Sequence, residues 1–302
     1  MTYQENIKKH LCDYKAREFP GLPDGFWISE KKETPLGYIL LPEDKYANLI
    51  KHYKAEFLKS KFYHKNSKEK IKLHIYFHHL NSSQAMCINF FYPLFNEHQL
   101  NLVLEFLGFK EDKVRYETVA FEKESKIDGA INYRPTNFDF YFETDMGKKF
   151  YFEIKYTEQD FGKAPKEKKN TTLFDKEHIN KFNAVYALHL DAIKPAYQGI
   201  HDFLSNYQLL RNVIHAAPDS YVVFVYPKEN IKIKLDVEKA INEVVVDGLA
   251  QHVRPVEWRK IFDYVRSNIH PSDLREQLNE FEEKYFLYHG AYCQSQNSAS
   301  EK

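Results

Sequence analysis

Residues 138–157, FDFYFETDMGKKFYFEIKYT, alternate apolar and polar side chains on both sides of a glycine-containing turn, the pattern of a β-hairpin. Strand side chains switch faces at every residue. Phe138, Phe140 and Phe142 therefore make one side of the first strand, with Asp139, Tyr141 and Glu143 on the other. In the second strand Phe150, Phe152, Ile154 and Tyr156 oppose Tyr151, Glu153, Lys155 and Thr157. A three-residue hairpin loop ends on a residue in the left-handed region, and Asp145-Met146-Gly147 puts Gly147 there. That turn sets Thr144 against Lys148 and Asp139 against Glu153, with side chains about 5 Å apart. Two facing carboxylates repel each other unless a cation lies between them or a base lies beside them, and Lys155 stands next to Glu153 on the same face.

Asp139, followed after thirteen residues by Glu153-Ile154-Lys155, resembles the signature of the PD-(D/E)XK nuclease superfamily, which includes type II restriction endonucleases. The proline is displaced, the chain reading Arg134-Pro135-Thr136-Asn137-Phe138-Asp139, so the resemblance is to D…ExK. A solvated hairpin carrying a Glu–Lys pair of little energetic weight has the same spacing.

The order of elements around the hairpin separates the two readings. Asn81-Ser82-Ser83-Gln84 predicts a helix start with Asn81 as cap and Gln84 reaching back. Pro93 is expected to interrupt that helix, which resumes near Glu97 with Leu100, Val103, Leu104 and Leu107 at helical spacing and stops at Gly108. His78 and His79 are expected to end a strand before it. Val114 to Phe121 suits a first strand. A helix is predicted from about Gly199 to Ala217, with a polar stripe of Gln208, Arg211, Asn212 and His215, and Tyr221 to Tyr226 reads as a buried strand. Helix, three strands, helix, strand is the order of the superfamily core.

His79-Leu80-Asn81-Ser82-Ser83-Gln84 with Asn89, Thr136-Asn137-Phe138-Asp139, Glu153 to Glu158, and Tyr207-Gln208-Leu209-Leu210-Arg211-Asn212 are similar to a group of bacterial restriction-endonuclease-like proteins over about residues 70 to 230. The resemblance implies an α/β fold with a restriction-endonuclease-like core, a mixed sheet flanked by helices. It also implies Mg²⁺- or Mn²⁺-dependent hydrolysis of DNA. Asp139, Glu153 and the carbonyl of Ile154 are then the metal ligands, with Lys155 as the catalytic lysine and Gln84, Asn89, Gln208 and Arg211 as substrate-binding or supporting residues. Glu117 or Glu143 is the candidate for a second metal, and a homodimer is expected by analogy. The alternative is a nuclease fold that binds nucleic acid or protein without cutting.

Formal net charge is zero, so a DNA surface has to be local, for example the lysines of 51–72 or of 163–169. Cys12, Cys87 and Cys293 have no paired spacing and are odd in number, so neither a disulfide framework nor a zinc knuckle is suggested, and a reducing cytoplasm is expected. No apolar run approaches the ~20 residues of a membrane span, and the first residues lack a signal-peptide core. The expected organisation is an accessory segment over 1–72, the nuclease core over 73–230, a helical segment over 231–289 with helices at 237–253, 255–267 and 272–287, and a flexible tail over 290–302. A further helix is expected from Glu43 to Ser60.

Overall fold

Five strands lie side by side in chain order in the computed structural model: β1 (Val114–Glu124), β2 (Asn137–Thr144), β3 (Lys149–Ile154), β4 (Ser220–Tyr226) and β5 (Val253–Glu257). The structure describes residues 1–27, 34–129, 135–168, 172–270 and 272–287. Lys169, Cys293 and the tail at 290–302 lie outside them. β1, β2 and β3 pair antiparallel, whereas β3–β4 and β4–β5 are parallel, so the sheet is mixed and the fold is α/β, as expected. The hairpin has the expected turn: Gly147 sits at φ +78°, its N–H bonds Thr144 O at 2.9 Å, and Thr144 N bonds Lys148 O at 2.9 Å.

The parallel step from β3 to β4 needs a crossover. It is made by α5 (Lys176–Ala184), α6 (Ile200–Ser205) and α7 (Tyr207–Val213), followed beyond β4 by α8 (Ile231–Lys239). Val222, Phe224 and Tyr226 of β4 share a core with Phe182, Phe203, Leu210, Val213 and Ile233 of these helices. Elsewhere on the sheet Phe109 packs on Phe150 and Tyr221, while α4 (Asn101–Phe106) packs with α9 (Trp258–Asn268). A buried ion pair ties the crossover down. Lys181 Nζ lies 2.9 Å from Asp128, whose carboxylate also accepts from Tyr186 and Thr136.

These strands belong to a unit made of Lys61–Lys72 and His98–Asn268; Met1–Ser60, Leu73–Glu97 and Ile269–Lys302 form the other. Residues 73–97 thus lie with the N-terminal residues and 231–268 with the sheet. The first unit packs α1 (Tyr3–Glu18), α2 (Lys51–Lys59), α3 (Ser83–Asn96) and α10 (Ser272–Tyr285). Thr2 and Glu5 form the capping box of α1. Among the described residues no helix is long and apolar enough to cross a membrane.

Several expectations need correction. The cap of α3 is Ser82, whose hydroxyl accepts from Ala85 N, and Asn81 does not fill that position. Pro93 does not interrupt α3. A proline leaves the carbonyl four residues earlier without a donor, and here Gln277 of α10 donates its amide to that carbonyl, Asn89 O, at 2.9 Å. The helix expected over 199–217 is two helices. The bond from Gln208 N to Leu204 O that would join them is open, and both groups turn to the segment leaving β3: Gln208 N bonds Gly162 O and Ala164 N bonds Leu204 O. The helix expected from Glu43 is a 3₁₀ segment at Pro42–Asn48, then α2 after extended residues whose Ile50 N–H bonds the Asn89 side chain. His78 and His79 lie in a turn with a single bridge, Ile39 to His79, and end no strand. β5 replaces the end of one expected helix and the start of the next. Its Pro255 is tolerated because β5 is an edge strand, where one row of N–H groups has no ladder partner.

Candidate active site

The β2–β3 ladder runs through Glu143–Lys149, Tyr141–Tyr151 and Phe140–Phe152 and then stops. One step on, where the register sets Asp139 against Glu153, the N–H of Ile154 is taken by the Asp139 carboxylate at 2.6 Å. A side chain thus replaces a ladder bond where the pairing ends. On the other side of β2, the pairs Phe121–Phe140 and Lys123–Phe138 bracket Glu122 against Asp139. Glu122 adopts φ +50°, in a strand whose register shifts between Arg115 and Ala120. A non-glycine residue in that region is strained and marks a local irregularity such as a bulge.

These neighbours determine the charge states. Burial, and then the Glu153 and Glu122 carboxylates, raise the Asp139 carboxyl well above its ordinary range, outweighing the Ile154 N–H and Lys155. Lys155 is 6% exposed and lies 2.9 Å from Glu153. Burial alone would push its ammonium down, but Glu153, Glu158 and Asp139 together hold it above its ordinary value. Lys155 is therefore a cation at neutral pH and a poor proton acceptor.

The end of β3 is held from several sides. Lys155 N bonds Val225 O at 2.9 Å, the Trp258 indole donates to Lys155 O at 3.2 Å, and the ammonium lies 5.0 Å from the Phe161 ring centre. Glu158 accepts from Tyr156 N at 2.6 Å, and buried Asn230 donates to the carbonyls of Tyr156 and Glu158. Gly162, at φ +75°, lies so close to Gln208 that an added Cβ would stand 2.9 Å from its Nε2. Glu122, Asn230 and Gly162 were not among the residues singled out from sequence, and Glu158 entered only as the end of the Glu153–Glu158 run, with no role assigned. Glu158, three residues past Lys155, had a local signal; Asn230 is far along the chain, and the shifted register of β1 conceals Glu122.

The structure thus brings together Asp139, Glu153, Ile154 and Lys155, with Gln208 against the segment that follows them. Arg211 lies over the Tyr207 ring at 5.3 Å, and its buried Nε has no hydrogen-bond partner among the described residues. The rest of the polar stripe is buried, His215 bonding Ser125 at 2.6 Å and Asn212 being 1% exposed. Glu117 and Glu143 pair with Arg115, and Glu143 also accepts from Tyr141. Gln84 and Asn89 belong to the first unit. Gln84 accepts from His74 N; Asn89 accepts from Ile50 N and donates to Asn48 O and the Tyr285 hydroxyl, which engages its whole amide in scaffold bonds.

Among the described residues no three His, Cys, Asp or Glu side chains stand together as a metal cage. A magnesium ion does not require one, because it keeps waters and commonly takes one or two carboxylates plus substrate phosphate. Asp139, Glu153 and the carbonyl of Ile154 fit that donor set, and the mutual repulsion of the carboxylates is what a divalent cation would relieve.

Residues 23–286 match the family described as restriction endonuclease associating with ARP. The chain belongs to that family. The match takes in the site and residues of both units, and the mixed α/β sheet is consistent with a restriction-endonuclease-like core flanked by terminal segments. No curated protein and no solved structure matches the chain.

Proposed function

We propose that this restriction-endonuclease family member is a metal-dependent endonuclease of the PD-(D/E)XK type, hydrolysing phosphodiester bonds in DNA. The observation that carries the reading is the meeting of Asp139, Glu153 and a buried, cationic Lys155 where β2 and β3 cease to pair. Asp139 and Glu153, with the carbonyl of Ile154, would hold Mg²⁺ or Mn²⁺. When bound, the ion supplies Lewis acidity toward the phosphoryl oxygen and activates water. Lys155 lies beside these ligands as a fixed positive charge and offsets charge that develops on phosphate in the transition state. Its raised proton affinity favours this electrostatic role over deprotonation of water. Glu122, beside Asp139, is better placed than Glu117 or Glu143 to support a second ion. Gln208 and Arg211 on α7 would position substrate or brace the end of β3.

Supercoiled plasmid incubated with purified protein tests the reading. Nicking or linearisation is expected in Mg²⁺ or Mn²⁺, none in chelator, and none from Asp139→Asn or Lys155→Ala. Linear product without an accumulating nicked form would indicate two subunits acting together, which sedimentation checks. Metal-independent DNA binding with no product across varied and methylated substrates would transfer the assignment to a binding module.

A further inference from the structure

Residues 61–72, KFYHKNSKEKIK, hold five lysines and one glutamate in a chain whose formal net charge is zero. Their place in the fold is unusual. The chain on both sides, Met1–Ser60 and Leu73–Glu97, belongs to the first unit, while Lys61–Lys72 belongs to the sheet unit. The loop is anchored by its two apolar ends. Phe62 and Ile71 are buried, and Ile71 N bonds Phe62 O at 2.9 Å. Phe62 packs edge-on against Phe121 of β1, which in turn contacts Phe140 of β2. These contacts are one residue from Glu122 and Asp139 along their strands.

Between the anchors the backbone bonds to itself. Ser67 N bonds His64 O, Lys70 N bonds Ser67 O, and Glu69 N bonds the Ser67 hydroxyl. The single carboxylate is taken by Lys61 at 2.9 Å. Lys65, Lys68 and Lys70 are exposed and have no ion-pair partner among the described residues. A lysine on a mobile surface stretch is simply solvated, but here a shaped loop concentrates uncompensated charge on the outer strand of the sheet that carries the candidate centre. A spaced row of ammonium groups fits a row of phosphates, whose neutralisation releases counterions.

We propose that the loop at 61–72 is a phosphate-binding arm for duplex DNA, anchored on β1 through Phe62 and contacting the substrate backbone with Lys65, Lys68 and Lys70. The choice of ligand rests on the DNA reading of the site. The arm fixes position on the duplex and reads no sequence.

The test measures duplex binding in chelator on an Asp139→Asn background, over a range of salt concentrations. A variant with Lys65→Gln, Lys68→Gln and Lys70→Gln is compared with one carrying Lys232→Gln, Lys234→Gln and Lys260→Gln, which removes the same charge elsewhere. Phe62 and Ile71 are untouched, and circular dichroism checks the fold. The loop variant should lower the slope of log affinity against log salt by about 2–3, near 0.9 per lost phosphate contact, and the control by much less. An equal slope in both variants, or a parent that binds no duplex at any salt, overturns the proposal. Plasmid cleavage by the wild type is read separately. Binding that depends on the loop without cleavage keeps the arm and removes the nuclease reading; cleavage with loop-independent binding does the reverse.

Discussion

Replacing Asp139 by Asn should abolish cleavage and at the same time stabilise the metal-free protein. Asp139 stands against Glu153 on one neighbouring strand and Glu122 on the other, with Lys155 as the cation contributing to its charge balance. Two unit charges about 5 Å apart repel by about 3 kcal/mol at an effective dielectric of ~20. Because Asp139 keeps some exposure to solvent and Lys155 offsets part of the repulsion, the relief on neutralisation should be about 1–2 kcal/mol. Asn keeps an oxygen to accept the Ile154 N–H, so the hydrogen bond at the end of the ladder survives. For a unit of this size the gain corresponds to roughly 2–8 °C in Tm. The pH dependence has a definite sign. The native-state proton affinity of Asp139 is raised above that of the unfolded chain, so the wild type loses stability as pH rises from about 4 through the raised value. The advantage of Asp139→Asn should therefore be close to zero near pH 4 and grow as the pH rises, so that it is larger at pH 7.5. Differential scanning calorimetry in chelator at both pH values measures it, and added Mg²⁺ should raise the wild-type Tm and leave the variant where it was. A variant no more stable than wild type at pH 7.5, or a gap unchanged at pH 4, would refute the electrostatic account of the centre.

Gln277→Met should destabilise the first unit by about 1–2 kcal/mol because it orphans the Asn89 carbonyl, and most of that loss should vanish in a Pro93→Ala background, as a double-mutant cycle in urea would reveal. Asp128→Asn leaves the Lys181 ammonium buried beside a neutral group, an expected loss of about 3–5 kcal/mol measurable by denaturant unfolding. Burial alone would raise the Asp128 carboxyl, but Tyr186, Lys181 and Thr136 bring it down to about 2, so its contribution should persist above pH 4 and disappear toward pH 2. Gly162→Ala places a Cβ at φ +75° against the Gln208 amide. It should cost about 1–2 kcal/mol and lower cleavage more than Lys168→Ala on the same segment, by melting and plasmid assays.

The hairpin was legible because its determinants are local. Period-two alternation sorts the faces, Gly147 fits the left-handed turn, and the turn alone sets the register that carries Asp139 to Glu153. β4 was legible for a similar reason, as a continuous apolar run in the middle of a sheet. What sequence could not supply were the places where a distant group takes over a local hydrogen bond. Gln277 lets α3 pass through Pro93, and Gly162 with Ala164 opens the helix expected over 199–217. Asn89 read as a site residue, whereas its amide is engaged by Ile50, Asn48 and Tyr285, all far from it in sequence. The candidate centre divides the same way. Asp139, Glu153 and Lys155 follow from spacing on one hairpin. The presence of Glu122 beside them depends on a shifted register in β1, and the enclosure of Lys155 depends on Phe161, Val225 and Trp258, while the Glu153, Glu158 and Asp139 carboxylates hold it as a cation against that burial; burial and cross-strand neighbours exist only once separate segments have packed.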